Sequence, residues 1–442
     1  MRGVLLFIIG FTVSFLYAQT EQCGQVEYMD YLETLSPGIK EQADNMYFES
    51  LRQSQARNKW DAKDTLYTIN VVFHVMYNIG EENLTDEVIK SQMDILNASY
   101  RRTNEDTVLT RDIFKPVAAD VGIQFQLAKV DPNGDSTSGI VRKYTPRSSY
   151  VTSQRFATLQ AEQVKTAANG SAAWDTEKYL NIWVCDLSYL GYDLLLGFAY
   201  PPTSAPNWPS TSYVNADRQG VVVHYKTVGE NSFTTLTSNK TLVHEVGHYL
   251  GLRHIWGDAP ANDRCNHNYD DFINDTPLAG SSSDAPGCNY NKNTCDPLEP
   301  DDLPDQIENY MDYSPGTCQN MFTSDQAGLM RQNLITYRPG IIALKTYEMG
   351  PEPMPYIPPT ETRVYPNPAS TFVVVEIKDP IKENRYKLKI TNVLGQPVFE
   401  KELESESRQR IEYNFGLSGF YIYQIFENED VMVEDRMLFG QF

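Results

Sequence analysis

The sequence predicts an α/β domain followed by a small all-β sandwich. Three observations carry this expectation. Strand-like runs alternate with helical ones between Tyr67 and Gly251. A proline-rich stretch, Gly350 to Pro359 (GPEPMPYIPP), then breaks the pattern and reads as a stiff linker. Beyond it, only short strands separated by turn signals follow.

In the first domain, residues 67–77 (YTINVVFHVMY) are apolar and β-branched, as a strand requires. Residues 85–100 have helical spacing: Thr85 can cap the N-terminus, and Ile89, Met93, Leu96 and Tyr100 share one face. Ile123, Phe125 and Leu127 alternate with polar neighbours, the mark of a half-buried strand. Further strands are expected at 180–185 (LNIWVC), 197–200 and 221–225. Residues 241–251 read as a helix that stops at Gly251, and residues 258–318 as a long loop rich in Asn, Asp, Pro, Ser and Gly. In the tail, strands are expected at 371–377, 386–390, 420–425 and 431–433, with NVLGQP (392–397) as a turn.

The chain has 442 residues, enough for two or three folded units. Hydrophobic residues make up 41%, with 28 Tyr and 19 Phe, so a real core can form. The net charge of −21 argues against nucleic acid as a partner, since that needs a basic surface. Arg2, the apolar run from Val4 to Tyr17 and the small Ala18 read as a signal peptide over 1–18; the rival reading is an N-terminal anchor. No other stretch reaches spanning length, so the mature chain is expected outside the cytoplasm, with no membrane span. Residues 19–57 are polar and charged and read as a pro-segment. The division is then 1–18 signal peptide, 19–57 pro-segment, 58–345 the α/β domain, 346–363 linker and 364–442 β-sandwich. Of six cysteines, Cys265, Cys288, Cys295 and Cys318 crowd into the long loop. In an exported chain they read as two disulfides, with all three pairings open; metal binding is the rival, weakened by the lack of a CxxC pair.

The chemistry is concentrated in residues 244–254, HEVGHYLGLRH. Residues four apart share a helix face, so His244 and His248 can point at one metal ion. Gly251 can leave the helix in a left-handed conformation and let His254 return as a third ligand. Three neutral imidazoles leave one tetrahedral position open for water, as in a catalytic zinc site. Glu245 is placed to take a proton from that water and pass it to the leaving amine. A bare HExxH arises by chance in roughly one chain in a hundred of this length; the Gly and third His lower that about a thousandfold.

HExxHxxGxxH is the zinc signature of the metzincin proteases, which this sequence therefore resembles. With HEVGHYLGLRHIWGD, the spaced cysteines and Asn309-Tyr-Met311-Asp-Tyr313-Ser314, residues 60–340 resemble the pappalysin family within that clan. The resemblance implies a twisted mixed sheet, an active-site helix and one catalytic Zn2+. It implies that Met311 forms a Met-turn floor below the metal and that the Tyr313 hydroxyl stabilises the oxyanion. It also implies the pairings Cys265–Cys295 and Cys288–Cys318, structural Ca2+ at Asp270, Asp271, Asp275 and Thr276, and an edge strand near residues 197–200 that pairs antiparallel with the substrate backbone. The rival for the four acidic-loop residues is a plain solvated loop. Cys23, beside Gly24, resembles the cysteine that keeps some pappalysin-like zymogens latent by occupying the open zinc position; the rivals are a Cys23–Cys185 disulfide and a free thiol. The loop after Tyr313 (Ser314-Pro-Gly-Thr317) lacks the acid that favours a basic residue after the scissile bond in some members.

Val364-Tyr-Pro-Asn-Pro-Ala-Ser370, VLGQPV at 393–398 and GLSGFYI at 416–422 resemble the C-terminal sorting domain of the type IX secretion system, with a carbohydrate-binding module as the rival. The sequence thus predicts a secreted or surface-attached zinc endopeptidase that acts on proteins or peptides and is exported by that machinery. The alternatives are a non-catalytic zinc-binding adhesin on a protease fold and a zinc hydrolase of other substrates.

Overall fold

The computed structural model describes residues 21–56, 65–202, 218–233, 239–260, 262–284, 287–295, 302–343, 362–365, 372–405, 408–412 and 419–439. The signal-peptide expectation, nearly all of the linker, and tail residues 366–371 and 413–418 lie outside them. The chain divides into two compact units, Met1–Leu344 and Lys345–Phe442.

The first unit begins with a short strand, β1 (Glu21–Cys23), and two helices, α1 (Gln25–Leu35) and α2 (Ile39–Ala56). The sequence reading assigned no elements here. The helices are amphipathic and bury few side chains each, Tyr28 and Leu32 from α1 and Ile39, Tyr47 and Leu51 from α2. Their apolar stripes are too sparse to stand out from a charged background.

The core elements follow: β2 (Tyr67–Tyr77), α3 (Asp86–Tyr100), β3 (Ala118–Ala119), β4 (Ile123–Leu127), β5 (Ile140–Tyr144), α4 (Ala157–Ala161), β6 (Leu180–Cys185), β7 (Leu195–Ala199), β8 (Val221–His224), α5 (Thr241–Tyr249), β9 (Phe322–Thr323) and α6 (Ser324–Tyr337), of which the sequence predicts all but β3, β5, α4, β9 and α6. Thr85 caps α3 by accepting from the Val88 amide at 3.4 Å. A reciprocal Thr323–Gln326 capping box starts α6. The main sheet runs β1-β7-β8-β6-β2-β4, with β5 also on β2. Pairs β2–β4, β2–β5, β2–β6, β6–β8 and β1–β7 are parallel, and β7–β8 is antiparallel, so the sheet is mixed. A β3–β9 pair stands apart.

One sheet face packs on α3, α5 and α6 through Val71, Phe73, Ile182, Val223, Leu242 and Leu329. On the other face, Trp183 of β6, Phe198 of β7 and the following Tyr200 pack against Tyr28 and Leu32 of α1. Every residue of α5 is buried, as expected of a helix threaded through a core. Residues 258–318 contain no helix or strand among the described residues. They are held by two disulfides, Cys265–Cys295 and Cys288–Cys318, while Cys23 and Cys185 are free and buried.

The second unit is all antiparallel. One sheet has the order β10 (Arg363–Tyr365), β11 (Phe372–Glu376), β14 (Arg408–Glu412). The other has the order β13 (Pro397–Leu403), β12 (Tyr386–Asn392), β15 (Gly419–Glu427), β16 (Asp430–Phe439). Val373, Val375, Leu388, Ile390, Ile425 and Met437 fill the space between them. The sequence reading missed β10, β13 and β14 and stopped β16 at Val433. These strands are rich in Arg, Glu and Lys, and β13 is largely exposed, so little apolar alternation marks it.

Candidate metal centre

The site grows from the end of α5. The helix closes in a Schellman motif: Leu252 N donates to Gly247 O at 2.9 Å, and Gly251 N donates to His248 O at 2.8 Å. Gly251 has φ +93°, and a Cβ there would lie 2.2 Å from Asn333 Nδ2, so only glycine fits. The turn reverses the chain and brings His254 beside His248. The Nε2 atoms of His244 and His254 each lie 3.1 Å from His248 Nε2. Cys23 joins them: one ligand atom from each of the four residues falls within 4.8 Å of all the others, and all four are buried.

Hydrogen bonds on the far side of each ring fix which nitrogen faces inward. His244 Nδ1 donates to Tyr310 O (2.6 Å), His248 Nδ1 to Leu252 O (2.9 Å) and His254 Nδ1 to Asp258 Oδ1 (2.7 Å). The Nε2 lone pairs are therefore aimed at one another. Burial, with the His254 ring next, pushes His244 down to about 3, so protons do not hold this cluster together. Burial likewise holds His248 well below its usual range. A divalent cation accounts for the arrangement: tetrahedral zinc with bonds of about 2.0 Å sets its nitrogens about 3.3 Å apart, close to the observed spacing. The residues present fit zinc.

Around this centre, both carboxylate oxygens of Glu245 are buried without a geometric hydrogen bond, and the Cys23 thiol is the polar group beside them. Burial pushes Glu245 up to about 8. Gly197 of β7 makes room for it: a Cβ there would lie 2.8 Å from Glu245 Cγ and 2.9 Å from Oε1. Met311 is fully buried below α5, so close that a Cβ on Gly247 would meet its Sδ at 2.5 Å. The Tyr313 ring is 4.9 Å from that of His254 and 5.8 Å from that of His244, and its hydroxyl donates to Cys23 O at 3.2 Å. Burial raises both the Tyr313 hydroxyl and the Cys23 thiol well above their usual values.

The acidic loop is placed apart from this centre. Asp271 Oδ1 accepts from Ile273 N (3.0 Å) and Thr276 Oγ1 (2.7 Å), and Asp275 Oδ2 accepts from Asp325 N (2.9 Å). Asp271 Oδ2 and Asp275 Oδ1 are buried and unpartnered. Burial raises all three acids, Asp275 to about 6. Asp270, Asp271 and Asp275 do not converge into a metal-binding group of the kind seen around His244 among the described residues.

Sequence reasoning missed Asp258, which orients His254, and Trp256, whose ring stacks on His254 at 4.3 Å and 8°. An acid four residues beyond the third His was the available signal for the first. Nothing in the sequence alone marked the stacking of Trp256 or the room that Gly197 makes for Glu245.

Residues 163–335 match the peptidase M43 family model, described as pregnancy-associated plasma protein-A, and residues 363–437 match a secretion system C-terminal sorting domain. Mature mirolysin of Tannerella forsythia, solved with a cleaved peptide, is 35% identical with a TM-score of 0.54, over 63% of this chain and 96% of that one. The chain belongs to the pappalysin family. Promirolysin from the same organism is 32% identical (TM-score 0.59) over 73% of this chain and 97% of that one. An extracellular metalloprotease of Arthroderma gypseum is 28% identical over 62% of this chain and 74% of its own length. This pappalysin is a secreted zinc-dependent metalloendopeptidase, extracellular or attached to the cell surface, that cleaves peptide substrates. Its tail directs it to the type IX secretion system. A non-catalytic adhesin is not favoured.

Proposed function

We propose that His244, His248 and His254 hold the zinc ion, that Glu245 is the general base, that Tyr313 stabilises the oxyanion, and that residues 19–57 are a pro-segment whose Cys23 keeps the zymogen latent. One observation carries this reading: the three Nε2 atoms and the Cys23 thiol share a single buried cluster, with every Nδ1 tied off behind it. When bound, zinc supplies Lewis acidity that polarises the scissile carbonyl and acidifies a water.

The chain's own residues do the rest. Glu245 accepts a proton from the attacking water at a carboxylate oxygen and returns it to the departing amine. Tyr313 donates its hydroxyl to the carbonyl oxygen as charge develops there. In the present state that hydroxyl is held by Cys23 O, a pro-segment carbonyl in the place a substrate carbonyl would take. β1 covers the substrate's place as well. It pairs with β7 in the register Cys23↔Gly197, and Gly24 N donates to Gly197 O at 2.9 Å. Removing β1 leaves β7 at the sheet edge, ready to pair with a peptide backbone. Met311 serves as the apolar floor below the metal.

A second, structural ion is part of the same proposal. Asp270, Asp271, Asp275 and Thr276 would hold Ca2+, supported by the two buried, unpartnered carboxylate oxygens of Asp271 and Asp275. Further proposals are a signal peptide over 1–18 and domain limits at 58–345 and 364–442.

One assay tests the core of the reading. The full-length chain, its Glu245→Ala variant and its Cys23→Ala variant are compared for zinc content and casein cleavage. Glu245→Ala should hold one zinc and lose cleavage; Cys23→Ala should cleave without activation. Cleavage by Glu245→Ala at the wild-type rate refutes the base assignment, and unchanged latency in Cys23→Ala refutes the switch.

A further inference from the structure

We propose that Arg253 is a substrate-recognition residue that the pro-segment occupies before activation, and that its freed guanidinium selects peptides with an acidic side chain on the acyl side of the scissile bond. The inference rests on the reading of residues 19–57 as a removable pro-segment.

Arg253 is fixed to the metal centre from both sides. The preceding carbonyl, Leu252 O, holds His248 Nδ1, and the following residue is His254. Its side chain, however, turns to α2. Arg253 Nη2 lies 2.5 Å from Asp44 Oδ1, and the guanidinium carbon sits 3.9 Å above the Tyr47 ring and 5.4 Å from that of Phe48. These three partners are spaced i, i+3 and i+4 on one helix, so they depart together with it. The guanidinium is planar: its edge takes a carboxylate while its face takes a ring. Asp44 and Tyr47 thus display the chemistry this residue binds.

The surrounding space points the same way. A cavity of about 390 Å3 lies between the pro-segment helices and the catalytic unit, walled by His248, His254, Arg253, Pro201, Pro202 and Met29. It runs from two of the metal-site histidines to Arg253, and the pro-segment roofs it without filling it. Pro201 and Pro202 follow the C-terminal end of β7. A peptide paired antiparallel with β7 places the residues before its scissile bond at that end. Arg253 therefore faces the acyl half of a bound substrate. With α2 gone, it is a cation that has lost both its carboxylate and its ring, beside Leu252 and the two prolines. An incoming acid restores the pair; its amide isostere does not.

The test uses the full-length chain with a specific protease site placed between α2 and β2, matured after folding and loaded with zinc. Peptides carry Asp or Asn at each of the four positions before the scissile bond. The matured wild type should prefer Asp about five- to tenfold in kcat/KM at one of them, through KM, in line with a charge-assisted bond at a partly exposed site. Arg253→Gln should abolish the ratio, and Arg253→Lys, which keeps charge and bulk, should retain it. Binding gives a second readout without turnover: matured Glu245→Ala should bind the Asp peptide several-fold tighter than the Asn peptide by calorimetry, and lose that difference with Arg253→Gln. Intact cleavage of the Asn peptides upholds the protease reading on its own. Against that background, an absent Asp preference, or one that survives Arg253→Gln, overturns the role of Arg253 alone.

Discussion

Replacing Asp258 should loosen the metal without touching a metal ligand. Of the three histidines, His244 and His248 are oriented by backbone carbonyls, which mutation cannot remove, whereas His254 is oriented by the Asp258 carboxylate at 2.7 Å. Loss of such an outer partner typically weakens metal affinity about 10–100-fold. The Asp258 side chain is 31% exposed, so water replaces part of the lost bond and the lower end applies. Asp258→Ala should therefore raise the zinc Kd about tenfold, or about 1.4 kcal/mol. The backbone at Asp258 has φ +55°, where alanine adds strain of about 1 kcal/mol to the fold and asparagine little. Asp258→Asn also keeps an acceptor oxygen, so its effect should be about threefold. Competition with a chromophoric chelator, in a Glu245→Ala background to stop self-cleavage, measures all three proteins. Equal Kd values for Asp, Asn and Ala would show that His254 needs no outer partner and would refute the argument.

Three further outcomes follow from the same geometry. Tyr313→Phe should lower kcat about a hundredfold at unchanged zinc content, because one oxyanion donor is lost; an unchanged kcat would return Tyr313 to the core. Gly247→Ala puts a Cβ 2.5 Å from Met311 Sδ and should cost about 1 kcal/mol, read as a lower Tm; an unchanged Tm would show that Met311 yields without cost. Calcium chelation with zinc held saturating should lower the Tm, since the raised acids around Asp271 would lose a counter-ion; an unchanged Tm removes calcium from the loop.

The sequence was most legible where periodicity and chemistry coincide. β2, α3 and β6 are long or strongly patterned, and their spans lie at or within a residue of expectation. The histidine triad was legible because helix spacing and one glycine fix the path of the chain. What escaped depends on long-range placement. Gly197 serves Glu245 only because β7 lies beside α5, a contact between residues 48 apart in sequence that no local pattern encodes. Trp256 stacks on His254 through a turn, and α1 and α2 take shape against surfaces that other segments supply. The end of α5 shows the limit on a smaller scale: the sequence predicts a helix through Gly251, while the helix stops at Tyr249 and Gly251 forms the turn that follows.

The two disulfides carry a consequence for when the long loop is fully tied down. Each spans 30 residues, and the loops interlock, since Cys288 lies inside the first and Cys295 inside the second. The later crosslink ends at Cys318, seven positions beyond Met311, so sulfur reinforces a segment that hydrogen bonds from Tyr310 N to Met321 O and from Asn309 Nδ2 to Gln326 Oε1 already hold beneath the histidines. Thiols inside a cell stay reduced. A chain that folds before export would have its histidines without these two ties in the loop beneath them. Export supplies the oxidant, so both crosslinks close only once the chain has left the reducing interior of the cell.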